Sequence, residues 1–397
     1  MIHSRVSALL LMVSLFSSLP ARAGFEFSGY AKNLFHGGRS QIGGAPYEGN
    51  LSRLRLSGEG STPLPGNASC ESACLRARVD YDHELRLGSV LRSKDFQRFG
   101  LAEPPEYLTM EQAISSGTGA HYRHRLYRGW VEASAAGVSA RLGRQRVAWG
   151  TGKLWNPTDF LNPYLPTVLE RDERRGVDAL YLRKGLGALG QGEAVYVLAD
   201  TWAQSDLVGR LRGNAHGTDM SLLAGKVGPS TSSFAVGGDF AMDLYVGSLH
   251  GEGLYADLKW RTAFWKWLIG YEYDFGPDPP IRAFKDLWAV FELHRNGAGV
   301  TQASRYNPAV LLSGREVSLA RDYAGLGLRK ELHPLLKAEV YALFNLNDGS
   351  KFIAPSLDWN ALKDLHLSGG WQRFGGNKAS EFGRQGNVAF LQAQYFF

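Results

Sequence analysis

The sequence predicts an all-β protein, a transmembrane antiparallel up-and-down β-barrel of about 18 strands, with 16 also possible. Three observations predict this fold. Segments of about ten residues alternate apolar and polar side chains, as in strands that face lipid on one side and water on the other. No stretch after residue 23 offers the ~18 consecutive apolar residues of a membrane-spanning helix. Aromatic residues lie at strand ends, where they would meet the membrane surfaces.

The first residues have the pattern of a secretory signal peptide. A basic start is followed by an apolar stretch from Val6 to about Phe16 and by small residues at Ala21 and Ala23. The apolar stretch is shorter than the ~20 residues that span a bilayer, which argues against a retained membrane anchor. We expect residues 1–23 to be cleaved off and residues 24–397 to form a single barrel in the cell outer membrane.

The clearest predicted strand runs from Leu75 to Leu87. Its odd positions are apolar except for His83, whereas its even positions carry only arginine, aspartate and glutamate. From Trp265 to Phe275 the same alternation places aromatic residues at both ends of the strand. A soluble β-sandwich also alternates when one face is buried, but it would leave these aromatic residues in water. A barrel that faces lipid accounts for both features.

The same alternation, bounded by turn residues, gives 18 candidate strands, an even number as in bacterial barrels. They are Phe25–Phe35, Leu51–Gly60, Leu75–Leu87, Leu126–Ala135, Val138–Trp149, Val177–Lys184, Glu193–Asp200, Leu207–Gly213, Met220–Val227, Phe234–Asp243, Gly253–Trp260, Trp265–Phe275, Phe284–His294, Leu319–Glu331, Leu336–Asn347, Lys351–Trp359, Lys363–Phe374 and Asn387–Phe397.

An even number of strands places both chain ends on one side, the periplasm. Long outer connections should then alternate with short periplasmic turns, such as Ala136-Gly137 and residues 332–335. The predicted long connections are residues 37–50, 88–121, 150–176, 295–317 and 375–385.

The two cysteines, Cys70 and Cys74, stand close together between the second and third predicted strands. An exported protein meets an oxidising compartment, so we expect a local disulfide in this turn. A metal site would need further cysteine or histidine residues nearby, and the turn contains none. We therefore predict no metal site.

Arginines concentrate on the polar faces of the second and third predicted strands. If these faces line the barrel interior, the arginines form a basic wall that tunes which ions and solutes pass. They could equally pair with Asp80, Asp82 and Glu84 and keep the interior solvated. The arginines are Arg53, Arg55, Arg76, Arg78 and Arg86, joined by Arg123, Arg125 and Arg128 from the next strand region.

The connection from Gly150 to Gly176 is a candidate for a loop that folds back and narrows the barrel. Loops longer than ~12–15 residues are usually functional or disordered, and this one is rich in aromatic, proline and leucine residues that could hold it in place. Near its end, Glu170, Asp172 and Glu173 could face the arginine wall across a constriction. The alternative is an exposed, salt-bridged extracellular loop.

The stretch from Leu142 to Gly150 contains Gly-Arg-Gln followed by Trp-Gly. This resembles a strand of outer-membrane porins of the alginate-export kind and of related uncharacterised barrel families. The resemblance covers this strand, the connection after it and the last strand. It implies a monomeric or trimeric channel with Arg144 and Arg146 near an anion path. By strict alternation both arginines share the outward face of Leu142, so a bulge near Gly143 is needed to turn them inward.

The last strand resembles the carboxyl-terminal signature that the outer-membrane assembly machinery reads. Ala389, Leu391, Ala393, Tyr395 and Phe397 share one apolar face, and the final residue is aromatic. The resemblance implies that the assembly machinery is a partner of this chain, through Phe397.

Together these patterns predict a porin, a channel for passive diffusion of ions and small hydrophilic solutes, and not an enzyme. Carboxylates such as Glu272, Glu292 and Glu339 dilute the arginines, so any anion preference should be weak. One alternative is a substrate-specific channel for an acidic saccharide or polymer. Another is a barrel enzyme such as a phospholipase, which would need a serine and a histidine on the outer rim. His83 stands on an outward face, but no nucleophile motif accompanies it.

No cofactor and no nucleic acid partner is expected. The expected partners are outer-membrane lipid, lipopolysaccharide and small hydrophilic solutes. The natural solute and the number of subunits stay open at this stage.

Overall fold

The barrel wall is built from strands that follow the alternating segments of the sequence. The computed structural model describes residues 24–41, 44–99, 106–163, 165–171, 173–174, 176–313 and 315–397. The predicted signal peptide, residues 1–23, and the predicted constriction residue Asp172 lie outside the described residues.

The described residues contain these strands in chain order. They are β1 (Gly24–Arg39), β2 (Pro46–Pro63), β3 (Ala73–Leu87), β4 (Glu111–Ser116), β5 (Ala120–Ala135), β6 (Val138–Gln145), β7 (Val177–Leu186), β8 (Gly190–Val197), β9 (Asp206–Ala215), β10 (Thr218–Lys226), β11 (Phe234–Leu244), β12 (Gly247–Asp257), β13 (Phe264–Asp274), β14 (Leu287–Asn296), β15 (Asp322–His333), β16 (Leu336–Asn345), β17 (Lys351–Leu362), β18 (Leu365–Gly375) and β19 (Val388–Phe396). A short helix, α1 (Lys94–Phe99), lies in the connection after β3. In this part of the chain no helix is long and apolar enough to cross a bilayer.

Apart from β4, the described strands form one closed antiparallel sheet in which neighbours along the chain pair with each other. β1 pairs with β2 on one side and with β19 on the other, so the last strand closes the ring. The backbones of Gly29 and Phe397 exchange hydrogen bonds of 2.8 and 3.1 Å at this junction. The predicted fold, a barrel of about 18 strands, is therefore confirmed.

β4 is the strand that the sequence did not indicate. It pairs with one part of β5, where Glu111 lies opposite Arg125 and Ser116 opposite His121. β6 pairs with the other part of β5, because the chain leaves the wall after Gln145. β4 thereby pairs backbone groups that β5 would otherwise leave unpaired beside the end of β6.

The alternation of side chains separates an apolar outer surface from a largely polar interior. Large apolar side chains point outward, and Leu222 and Trp265 are 73% and 61% exposed. Charged side chains of the same sheet, such as Arg53, Glu84 and Glu252, point inward and are buried. An apolar surface of this extent is what lipid requires, so the barrel spans a membrane with its strands.

Most long connections lie at one end of the barrel and most short turns, such as Ala136-Gly137, at the other, where residues 275–286 form a longer connection between β13 and β14. The connection predicted at residues 37–50 is shorter in the structure, because β1 continues to Arg39 and β2 begins at Pro46. The glycine-rich ends of these two strands pair with each other, which their composition alone did not indicate.

Candidate functional site inside the barrel

Residues 146–176, called the constriction segment below, leave the wall after β6 and return to it at β7. Gly143 lies just before this departure. Its φ is +126°, and a Cβ there would stand 2.2 Å from the carbonyl oxygen of Gly129. Both features require glycine at this position.

Arg144 and Arg146 differ in their surroundings. Arg144 is 2% exposed, lies 3.0 Å from Asp178 on β7 and 2.6 Å from Glu106, and donates hydrogen bonds to two backbone oxygens. Arg146 is exposed. Arg144 therefore joins β6, β7 and the residues before β4, and it does not border an open path.

The first part of the constriction segment packs on an apolar stretch of the interior wall. Val147, Trp149 and Leu161 are at most 8% exposed and form one cluster with inward side chains of β7 to β13. These wall residues are Ala179, Tyr181, Val195, Val208, Leu223, Ala235, Leu254, Ala256 and Phe264. On this side the segment and the wall form a continuous apolar core.

Glu252 on β12 fixes the first turn of the segment. Its carboxylate accepts hydrogen bonds from the backbone N–H groups of Thr151 and Gly152, both at 2.7 Å, and of Thr158 at 3.0 Å. The Thr158 hydroxyl donates a further bond of 2.8 Å. Gly150 has a φ of +93°, and a Cβ there would lie 2.6 Å from Oε1 of Glu252. Glycine at this position therefore lets the carboxylate approach the backbone.

Glu292 on β14 holds the next residues in the same way. It accepts hydrogen bonds from the backbone N–H groups of Lys153, Leu154 and Trp155, at 2.5, 3.0 and 3.3 Å. Its Oε1 also lies 3.0 Å from Nε2 of His250. Two wall carboxylates thus define the path of the segment's backbone.

Trp155, which belongs to the constriction segment, packs against the inner face of β14 and β15. It is 2% exposed, stacks on His294 with ring centroids 5.3 Å apart and lies against Tyr323 at 5.7 Å. A Cβ on Gly325 would stand 2.6 Å from the indole ring. The glycine in β15 therefore provides the space that the tryptophan fills.

The segment then continues along the wall beyond β15. Gln372 on β18 donates a hydrogen bond of 3.2 Å to the backbone oxygen of Thr167. The guanidinium of Arg171 lies 3.8 Å from the ring centroid of Tyr341 on β16. These contacts, on strands far from β6, place the segment across the interior of the barrel.

Two carboxylates near the end of the segment contact the basic wall of β1 and β2. Glu170 lies 2.9 Å from Lys32 and 2.7 Å from Arg53, and Glu173 lies 2.9 Å from Arg55. Burial alone would raise the pKa of both carboxyls, but the surrounding cations outweigh it. The pKa of Glu170 is lowered, and that of Glu173 is lowered to about 2. Both carboxylates therefore stay charged at neutral pH.

Arg53 and Arg55, together with Arg123 and Arg125 on β5, also contact carboxylates of the wall itself. The pairs are Arg53–Glu84 at 2.7 Å, Arg123–Glu84 at 2.7 Å, Arg125–Glu84 at 3.3 Å and Arg55–Asp82 at 2.6 Å. The structure thus combines the two interpretations that the sequence left open, because the arginines pair with neighbouring strands and also face the constriction segment.

Arg128 is buried and donates a hydrogen bond to the backbone oxygen of Arg174 in the constriction segment. Arg76, Arg78 and Arg86 lie towards the two ends of the barrel. Arg78 contacts Glu59 at 3.2 Å, and its side chain is 41% exposed. Arg76, closer to the end with short turns, is exposed. Arg86, towards the opposite end, lies 3.8 Å from Glu84. Arg76 and Arg78 are therefore the members of the set that face solvent.

Asp159 is a buried acid within the constriction segment, at 2% exposed. Its Oδ2 lies 3.7 Å from Arg174 and has no hydrogen-bond partner among the described residues. Burial raises the pKa of this carboxyl to about 8, although Arg174 and Arg146 lower it; Glu252 raises it further. Asp159 is therefore mostly protonated at neutral pH.

Sequence reasoning missed the residues that hold the segment. Glu252 was not identified, Glu292 was treated only as a charge in the interior, and neither Lys32 nor Asp159 was singled out. Glycines flank Glu252 on both sides in the sequence, but they lie on the opposite face of the strand. A Cβ on Gly251 would meet Phe240 and one on Gly253 would meet nothing within 4 Å, so these glycines do not signal the approach of the segment.

At the end with short turns, a disulfide joins Cys70, in the connection from β2 to β3, to Cys74 near the start of β3. No group of three or more histidine, cysteine, aspartate or glutamate side chains in the described ranges is arranged to hold a metal ion.

Comparison with family models and with curated proteins gave no match. Among solved structures, a mutant of Rhodopseudomonas blastica porin matches with 12% identity and a TM-score of 0.46, covering 94% of this chain and 100% of that chain. An anion-selective porin from Comamonas acidovorans matches with 11% identity and a TM-score of 0.46, covering 95% and 100%.

Proposed function

We propose that this chain is an outer-membrane channel through which ions and small hydrophilic solutes diffuse passively, with a weak preference for anions. The observation that carries the proposal is the constriction segment, which crosses a closed barrel and is bound to charged residues of the interior wall. A barrel with a charged interior is suited to hold water, and an inserted segment sets the size of what passes.

The weak anion preference follows from the balance of charge around β1, β2, β3 and β5. In the described residues, the cations on this wall outnumber the carboxylates that face them. The cations are Lys32, Arg53, Arg55, Arg86, Arg123, Arg125 and Arg128; the carboxylates are Asp80, Asp82, Glu84, Glu111, Glu170 and Glu173. Because most of these charges are paired at short distance, the net field in the channel is modest.

The arrangement gives less support to the two alternatives. A channel for an acidic polymer needs cations free to bind successive negative groups, whereas Arg53 and Arg55 are occupied by carboxylates. A phospholipase needs a serine bonded to a histidine. On the outer face His83 bonds to Tyr122, and Ser52 bonds to asparagine side chains. We therefore infer a channel without catalytic activity.

Export by the signal peptide of residues 1–23 and insertion by the assembly machinery complete the proposal. The apolar outer surface requires a membrane, and a cleaved signal peptide would deliver the chain to the envelope. Detection of a mature protein that begins at Gly24 in isolated outer membranes would support this route.

The test is conductance of the refolded protein in a planar bilayer, with the reversal potential measured in a salt gradient. We expect steady ohmic conductance and a small anion preference. Arg86→Ala should reduce that preference and leave the conductance nearly unchanged, because Arg86 is one of these wall cations and contacts Glu84 of the wall, not the constriction segment. A folded barrel that conducts no ions, or one selective for cations, would refute the proposal.

A further inference from the structure

Two arginines lie over aromatic rings on the inner wall of β14 to β16. The guanidinium of Arg329 on β15 lies 4.8 Å from the ring centroid of Trp288, which is its pairing partner on β14. The guanidinium of Arg171, which belongs to the constriction segment, lies 3.8 Å from the ring centroid of Tyr341 on β16. These four residues are called the arginine–aromatic cluster below.

The cluster faces the interior of the barrel. On β14 and β16 the two rings share the inward face of Glu292 and Leu343, which are buried. Trp288 and Tyr341 themselves are only partly buried, and the side chain of Arg329 is 45% exposed. A side chain that points inward and is still accessible to solvent lines the lumen. The cluster therefore borders the space that a solute would cross.

Gly327 on β15 lets the two rings lie close together. A Cβ at this position would stand 2.8 Å from a methyl carbon of Val290 and 3.4 Å from the ring of Trp288 and from that of Tyr341. The rings therefore meet over the glycine and form one continuous surface. The indole N–H of Trp288 donates a hydrogen bond of 3.1 Å to Glu272, which fixes the orientation of this ring. A surface that is already ordered loses little entropy when a ligand binds.

Both guanidiniums keep hydrogen-bond donors available. Arg171 makes no hydrogen bond or ion pair with the residues that the structure describes, and Arg329 lies 3.9 Å from Glu339, beyond hydrogen-bond distance. On β2, by contrast, Arg53 and Arg55 contact carboxylates at 2.7 and 2.6 Å. The N–H groups of a guanidinium lie in its plane, so stacking on a ring leaves them free. Arg171 and Arg329 can therefore bind an anion through their edges.

We propose that the arginine–aromatic cluster binds small carboxylates that carry a planar ring. The carboxylate accepts two parallel hydrogen bonds from one guanidinium, while the planar ring stacks on the other guanidinium or on an aromatic side chain. An anion without a ring gains only the first contact, and a neutral ring gains only the second. The inference rests on the proposed function, because it names a class of solute for that channel.

Binding of three probes to the refolded protein in detergent micelles, followed by ligand-observed NMR titration, tests the proposal. Benzoate has both the carboxylate and the ring, acetate lacks the ring, and benzamide has the ring without the charge. Benzoate should bind several-fold more tightly than either of the others, with micelles alone as the blank. Equal binding of benzoate and acetate, or of benzoate and benzamide, would overturn the proposal.

This measurement needs no ion current, so it separates the site from the channel. A barrel that binds benzoate as expected but conducts no ions supports the site and refutes the proposed channel. A barrel that conducts ions without preferring benzoate overturns the site and leaves the channel standing.

Arg329→Lys keeps the positive charge but removes the planar guanidinium. It should weaken benzoate binding several-fold and leave acetate binding nearly unchanged, as should Trp288→Leu, which leaves every charge in place. The matched control is Arg78→Lys, because Arg78 also lies inside the barrel with its side chain 41% exposed but pairs with Glu59 and Asp80. Benzoate binding that is unchanged in Arg329→Lys, or weakened equally in Arg78→Lys, would show that the cluster is not the site.

Discussion

Glu252 and Glu292 each bind several backbone N–H groups of the constriction segment, so single side chains on the wall control its position. In Glu252→Gln an NH₂ group replaces one of the two accepting oxygens and faces N–H donors. Leaving a buried donor without its acceptor costs about 1–3 kcal/mol, so we expect the segment to detach part of the time. Single-channel recordings should show a higher and noisier conductance.

Glu59→Gln is the control for this change. Glu59 lies on β2, its side chain is 47% exposed, and its contact is with Arg78. Conductance of this variant should match that of the unaltered protein. If Glu252→Gln folds and conducts like the control, the carboxylate does not hold the segment in place.

The buried carboxyl of Asp159 leads us to predict that the conductance depends on pH. Its pKa in the folded protein, about 8, lies above the ordinary value of 3.8 because the carboxyl is buried. Its contribution to stability is therefore fully present below pH 3.8 and is lost as the pH rises through about 8. Conductance should accordingly increase between pH 6 and pH 9, as a buried charge loosens the segment.

Asp159→Asn keeps the neutral state at every pH and should abolish this increase. Glu170 and Glu173 do not contribute to the change in conductance, because their lowered pKa values keep them charged throughout this pH range. An unchanged pH response in the asparagine variant would assign the effect to another group.

At the scale of single residues, the sequence predicted which side chains face the interior but not which residues they bind. Alternation along β2 and β3 correctly placed Arg53 and Arg55 on the charged interior face, because period two is local. It could not show that Glu170 and Glu173 bind them, since more than a hundred residues separate the partners. Nor could it find Glu252, whose role depends on where a distant backbone lies.

Among the elements, the constriction segment is bound at two places, by wall carboxylates near its start and by wall cations near its end. Glu170→Gln combined with Glu173→Gln removes the second attachment only. Breaking buried ion pairs costs about 3–5 kcal/mol when one partner stays charged and unpaired. We expect a lower melting temperature for the folded barrel and a larger conductance with a stronger anion preference, because two negative charges beside Lys32, Arg53 and Arg55 are removed.

The matched control is Glu132→Gln, which removes a buried carboxylate paired with Arg141 and Arg183 on the wall. It should destabilise the barrel without enlarging the conductance. If both variants enlarge the conductance equally, the change reflects general loosening and not release of the segment.

Strands were predictable as elements where a regular period lasts for about eight residues, as in Leu75–Leu87. β4 was not predictable, because Glu111–Ser116 lacks alternation and forms only because β6 ends early beside it. That early end depends on the attachments of the constriction segment. β4 forms because part of β5 is left unpaired, and this depends on contacts of the constriction segment far along the chain. The sequence of β4 itself therefore carries no local pattern.

For the whole molecule, closure of the ring depends on the pairing of β1 with β19. A Cβ on Gly29 would stand 2.7 Å from the ring of Phe397. Glycine at this position therefore leaves the space that the ring occupies against β1. The two backbone hydrogen bonds between these residues do not depend on the aromatic side chain. Phe397→Ala therefore separates closure of the sheet from recognition of the aromatic ring.

If the assembly machinery reads Phe397, the variant should accumulate in the outer membrane of cells at a much lower level. Refolding of purified Phe397→Ala into detergent micelles should proceed almost as for the unaltered chain, because the backbone bonds remain. Tyr395→Ala, two residues earlier on the same outward face, serves as the control for loss of an exposed aromatic side chain. A parallel loss in cells and in refolding would show that the ring stabilises the closed barrel itself, and recognition by the machinery would then not be needed to explain it.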